Sequence, residues 1–161
     1  MQGEDQPNAV QRGGFDPHTV FAKILGGELP ATFVYRDELV AAFLDIQPIT
    51  PGHTLVVPLV KAASLAELPP ATGARMFTVA QRVGAALRGS GLACEGVNLF
   101  LADGVAAGQT VFHLHLHVFP RYADDGFRWK LPERYYQPPP RADIEAAGER
   151  IRAALEGQRP G

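Results

Sequence analysis

The sequence predicts an α+β domain, a mostly antiparallel sheet of about five strands with one long and two shorter helices. Short runs rich in β-branched and apolar residues fall in groups on either side of a single long segment of helical period. The links between grouped runs are hairpin-short, which favours antiparallel pairing over crossovers. The length of 161 residues, 46% apolar and 20% charged, suits one ordinary globular domain.

The elements follow in order. Residues 1–14 are polar and rich in Gln and Gly, and read as a flexible tail. Val20, Phe21, Ile24 and Leu25 recur at helical spacing until Gly26-Gly27 stop them. Residues 31–36 and 39–46 read as two strands with Asp37-Glu38 as their turn, and 54–58 as a third. Pro48, Pro51 and Gly52 make the loop before that third strand rigid. The long helix covers 71–88, with Met76, Val79, Ala80, Val83 and Leu87 as its apolar stripe. A fourth strand is expected at 96–101 and a fifth at 111–120, joined by the Gly-rich loop 103–108. A final amphipathic helix is expected at 143–155. The organisation expected is a tail (1–14), one domain (15–121) and a C-terminal extension (122–161) whose helix packs on that domain.

Charge and cysteine content narrow the classes. A net charge of −2 gives no electrostatic footprint for duplex nucleic acid. The single cysteine, Cys94, rules out an internal disulfide and fits a reducing compartment. No apolar run approaches the ~18 residues of a membrane span. A cytoplasmic protein with no nucleic-acid or membrane partner is the expectation.

Three of the five histidines stand at alternate positions in His113-Leu114-His115-Leu116-His117-Val118-Phe119. On a strand the imidazoles share one face, while Leu114, Leu116 and Val118 take the core face. Tolerated filler is a poor explanation for three of five histidines at every second position. A metal site is the next alternative, since histidine is the commonest metal ligand. Along a straight strand, however, His113 and His117 lie roughly 13 Å apart. All three nitrogens cannot then reach ~2.1 Å from one zinc without strain. Two could bind together with a ligand from elsewhere, but the run contains no Asp, Glu or Cys. Covalent catalysis fits better: a neutral imidazole is a competent nucleophile towards phosphorus, and flanking histidines can orient it and shuttle protons. Gly108-Gln109-Thr110, just upstream, offers an amide, a hydroxyl and backbone N–H groups for oxygen charge.

The run 113–119 is the complete His-φ-His-φ-His-φ-φ signature, with φ apolar, and here the chain resembles the histidine-triad (HIT) family of nucleotide hydrolases and transferases. The resemblance extends through Val20-Phe21-Ala22-Lys23-Ile24, Gly27-Glu28-Leu29-Pro30-Ala31, Phe43-Leu44-Asp45-Ile46-Gln47-Pro48, Pro51-Gly52-His53-Thr54-Leu55-Val56-Val57-Pro58 and Ala107-Gly108-Gln109-Thr110-Val111. It implies a HIT-like fold, usually a homodimer, and attack on a nucleotide α-phosphorus by the middle histidine. His115 is then the nucleophile, with His113 and His117 beside it and His53 as a fourth histidine fixing their hydrogen bonds. The resemblance gives Asp45 the ribose hydroxyls, for which an acceptor-only carboxylate is suited. It gives Val20, Phe21, Ile24, Phe43 and Ile46 the apolar slot for a purine base, and Asn98, Gln109 and Thr110 the phosphate end. Val20, Phe21 and Ile24 would also serve as core, and Asp45 as a turn former. His18 reads as a helix-boundary residue.

Three departures from the family pattern stand out. Thr19 and Ala22 occupy the places of a Cys-x-x-Cys zinc pair found in some bacterial members, so no metal and no cofactor is expected. Lys61 stands where a histidine is frequent. Ala102 replaces an amide that contacts the leaving phosphate chain in some branches. The activity implied is cleavage at the α-phosphate of a nucleoside 5′-phosphoramidate, a dinucleoside polyphosphate or a similar conjugate through a nucleotidyl-histidine. The rival class is a nucleotide-binding regulatory or interaction protein with weak activity, which needs the same pocket.

Overall fold

The computed structural model describes residues 20–158; the 1–14 tail, His18 and Thr19 lie outside the described residues. Helix α1 (Val20–Leu25) is followed by strands β1 (Phe33–Arg36), β2 (Val40–Leu44) and β3 (Thr54–Pro58). Helix α2 (Pro70–Gly89), β4 (Gly96–Leu101) and β5 (Leu116–Arg121) come next. The five strands form one sheet in the order β1-β2-β3-β5-β4, every neighbouring pair antiparallel. This is the α+β class the sequence indicates.

Side-chain alternation makes the sheet apolar on both faces. Val40, Ala42, Val56 and Val118 point to one face and pack against Met76, Val79, Ala80, Val83 and Leu87 of α2. The intervening Ala41, Phe43, Leu55 and Val57 point to the other, where Phe21 of α1 and Val111 cover them. Helix α2 begins with Pro70 in its first turn, where the missing N–H leaves no bond unmade. The β1–β2 hairpin is closed by Asp37. Its Oδ1 accepts the N–H groups of Leu39 and Val40, both at 2.9 Å, and its Oδ2 accepts from Arg75 of α2. Burial would raise the Asp37 pKa, but these bonds and one from the Tyr35 hydroxyl hold it well below the carboxylate range.

The fifth strand departs from expectation at its start. Regular pairing begins at Leu116, so His113 and His115 precede the strand instead of lying on it. The N–H of Leu114 donates instead to the Ala62 carbonyl at 2.8 Å, drawing this stretch onto the loop that leaves β3. His113 and His115 are buried there.

The chain divides after Asp125. The second unit holds a 3-10 turn (Glu133–Tyr136) and helix α3 (Arg141–Glu156), which starts directly after Pro138-Pro139-Pro140. No helix among the described residues is long and apolar enough to cross a membrane.

Candidate active site

Four imidazoles converge from two segments of chain: His53 just before β3, His113 and His115 just before β5, and His117 on β5. Pro51-Gly52 delivers His53. Gly52 has φ +96°, and a Cβ there would sit 2.9 Å from δ-carbons of both Leu87 and Leu92. Only glycine meets both demands. His53 is 2% exposed and its ring packs 5.2 Å from that of Phe119.

The hydrogen bonds define where the protons lie. The N–H of Ile49 donates to His53 Nδ1 at 3.1 Å, so that nitrogen carries the lone pair and a neutral His53 has its proton on Nε2. His53 Nε2 lies 2.8 Å from His117 Nδ1 and therefore donates to it, leaving the His117 proton on Nε2. His115 Nδ1 is 2.8 Å from the carbonyl oxygen of His113. A carbonyl only accepts, so Nδ1 holds the proton and Nε2 of a neutral His115 holds the lone pair. By the same reasoning His113 Nε2 donates to the Pro58 carbonyl at 2.8 Å. Each ring has one tautomer that satisfies its partners.

Neutrality follows from burial. Desolvation pushes His53, His113, His115 and His117 all below 6.5. For His117 the value falls to about 3, with burial the largest cause and the neighbouring His115 and His53 adding to it. The Pro58 and His113 carbonyls oppose the fall at His113 and His115 respectively, without reversing it. The set combines an unprotonated nitrogen on His115 with N–H donors on its neighbours. That combination suits nucleophilic attack on an electrophile whose oxygens need donors.

The other expected residues divide by their partners. Phe21 meets Phe43 edge-on at 5.5 Å and the His115 ring at 5.1 Å, while Val20 and Ile24 pack on the same cluster. Asp45 follows β2 with one oxygen accepting the Gln47 N–H at 2.8 Å and the other 3.7 Å from His53 Nδ1. Ile46 beside it is 91% exposed. Thr110 is exposed, whereas Gln109 is buried with its amide spanning Ala63, Gly104 and Val111. Gln109 thus ties the 103–108 loop to the segment after β3. Asn98 shares the sheet face of His117, but its oxygen accepts from Arg121 at 2.6 Å, and Arg121 is also paired with Asp125. It is not brought into the imidazole cluster. Phe119 of the signature and Phe100 flank the histidines; Phe100 has no local signal in the sequence and meets His117 through the β4–β5 register.

Asp45, His53 and His117 each place one donor atom within 4.8 Å of the others, the spacing of a metal trio. Their nitrogens are nevertheless turned towards one another and the Ile49 N–H. Holding a cation would break that hydrogen-bond chain.

The HIT domain family model matches residues 26–124, and the chain belongs to the HIT family. An uncharacterised HIT-like protein of Borreliella burgdorferi is 45% identical over 112 residues, covering 69% of this chain and 81% of the relative. The purine nucleoside phosphoramidase of Escherichia coli is 38% identical over 104 residues, covering 62% and 84%. Among solved structures, a HIT family protein from Bacillus anthracis superposes with TM-score 0.74 at 33% identity, covering 87% of this chain and 96% of its own.

Proposed function

We propose that the chain is a nucleotidyl hydrolase or transferase that cleaves at the α-phosphorus of a purine nucleoside 5′-phosphoramidate or a related mixed nucleotide. The observation that carries the reading is the proton pattern. His115 keeps Nδ1–H on the His113 carbonyl and a lone pair on Nε2, inside a site where burial keeps the imidazoles neutral.

In the first step the His115 Nε2 lone pair forms an N–P bond. The bond from phosphorus to the leaving group breaks, and the leaving atom takes that electron pair and a proton from water. The positive charge left on the nucleotidyl-imidazole is met by the His113 carbonyl through Nδ1–H, and His117 Nε2–H serves a phosphoryl oxygen. In the second step water attacks phosphorus, the N–P bond breaks, the pair returns to Nε2 and the water proton is released. An acceptor other than water would make the same chemistry a transfer.

Phe21, Phe43, Val20, Ile24 and Ile46 take the base in this reading, Asp45 the ribose hydroxyls, and Thr110 with the 108–110 backbone the phosphate. Gln109 braces the phosphate loop, and Asn98 is engaged by Arg121. Two features favour a phosphoramidate over a dinucleoside polyphosphate. The Escherichia coli relative bears that activity in its name, and buried Ala102 offers no amide to a leaving phosphate chain. β4 stands at one edge of the sheet with Leu99 40% exposed, which supports a homodimer completed along it.

Turnover of adenosine 5′-phosphoramidate and of a diadenosine polyphosphate on one preparation, wild type beside His115→Ala, tests the reading. Release of the nucleoside monophosphate by wild type alone supports it. Nucleotide binding without turnover in both would instead favour the binding-protein class.

A further inference from the structure

The chemistry above needs the His117 ring held still, and one hydrogen bond does not do that. The outer torsion of a histidine is broad and roughly two-fold. A half-turn about it would exchange Nδ1 for carbon and undo the His53–His117 bond. What surrounds the ring therefore matters. His53 lies on one side, its centroid 5.0 Å from that of His117. His115 stands edge-on at 4.7 Å. On the β4 side the neighbour is Phe100, directly opposite His117 in the antiparallel register, with centroids 5.6 Å apart and planes at 43°. Phe119 completes the row behind His53. Four rings, Phe119, His53, His117 and Phe100, thus line the catalytic face across β3, β5 and β4, with the hydrogen-bonded pair in the middle.

We propose that Phe100 is a positioning residue, whose ring walls the β4 side of His117 and holds the imidazole in the orientation that keeps Nδ1 on His53 and Nε2–H available to the phosphoryl group. Phe100 has no polar side-chain atom and acts on the reaction through His117. Its replacement therefore acts on the chemical step and not on nucleotide binding, which lies towards α1 and β2. The inference rests on the role given to His117 above, so its test has a readout that needs no turnover.

The experiment uses Phe100→Leu and the milder Phe100→Met, which keep apolar bulk but lose the flat face, with Phe100→Tyr as the conservative variant. Val97→Ala, on the opposite face of the same strand and packed on the α2-side core, is the control for a merely weakened strand. Nitrogen-15 spectra of the histidine side chains report the tautomer of His117 directly. The wild type and Phe100→Tyr are expected to show one tautomer with the proton on Nε2, and Phe100→Leu and Phe100→Met a mixture. With adenosine phosphoramidate as substrate, kcat should fall about tenfold in the two aliphatic variants and recover in Phe100→Tyr, with KM little changed. An unmixed His117 tautomer in Phe100→Leu and Phe100→Met overturns the proposal whether or not the protein turns over a nucleotide. So does a Val97→Ala variant that reproduces the same spectral change and loss of kcat. Absence of turnover in the wild type would instead count against the nucleotidyl reading, leaving the spectra to decide the role of Phe100.

Discussion

Replacing His53 by phenylalanine keeps a ring of similar size against Phe119 but removes both hydrogen bonds of the fourth histidine. The Ile49 N–H loses its acceptor and His117 Nδ1 its donor, next to a side chain only 2% exposed. Both bonds are only part-buried, so the cost lies at the low end of the range of about 1–3 kcal/mol for a buried polar group left unpaired. The variant should melt a few degrees lower while still folding. The catalytic effect is separate. Without His53 Nε2–H, the two neutral tautomers of His117 become comparable, and the bias lost is about one hydrogen bond. Comparable tautomers alone only halve the competent population, but the ring is also freed to turn about its broad outer torsion. A loss of orientation worth about 1.4 kcal/mol is a further factor of ten in rate, so kcat should drop at least about tenfold. KM for the nucleotide should stay close to wild type, because neither lost bond involves the base slot. Steady-state kinetics on the folded variant at neutral pH measures both. A kcat within about twofold of wild type would refute the proton assignment on which the site is read.

Further outcomes are expected from the same geometry. The histidine pKa values are depressed in the folded state, so between about 6.5 and the folded values the unfolded chain binds more protons than the native one. Stability is therefore full above pH 6.5 and is lost progressively as pH falls, towards about 3 for His117. Urea midpoints taken between pH 7 and pH 4 should decline, and a flat profile would contradict the burial of neutral imidazoles. Gly52→Ala should destabilise by about 1–3 kcal/mol from positive φ and collision with Leu87 and Leu92. It should also lower kcat by displacing His53, which thermal melts and kinetics on one sample will show. Activity should survive exhaustive chelation, because the His53 and His117 nitrogens serve each other; loss on chelation with recovery on added zinc would point to the Asp45–His53–His117 trio as a metal site.

How much of this was legible in the sequence depends on whether a signal is local. α1, β3 and β4 have the bounds their own residues suggest, since Gly26-Gly27 and the β-branched 54–58 run are local signals. The long helix is likewise announced by its apolar stripe of Met76, Val79, Ala80, Val83 and Leu87. The histidine pattern put the three imidazoles in a row on one face of a regular strand, whereas the strand begins only at Leu116. That inference fails for a long-range reason: Ala62 captures the Leu114 N–H, and Phe21 arrives from α1 to cover the rings. Nothing in a period-two pattern tells a face left to solvent from one that a distant helix will cover. Gln109 and Asn98 illustrate the same limit. Their amides suit a phosphate as well as they suit Ala63 or Arg121, and only the fold says which partner is near. The tautomers, which decide what the site can do, rest on Ile49, Pro58 and the His113 carbonyl, backbone groups that no side-chain motif names.

The most direct test of His115 as nucleophile is to look for the bond it would form. The protein is mixed in single turnover with a labelled adenosine phosphoramidate, quenched without acid and digested for mass spectrometry. Variants at His113 or His117 serve to slow resolution by water. The expected result is an adenylate on the peptide bearing His115, stable to base, labile to acid and absent from His115→Ala. Turnover with no adduct under any of these conditions would mean that water attacks phosphorus directly. The imidazoles would then act as general base and oxygen donors, and the nucleophilic role assigned to His115 Nε2 would be wrong.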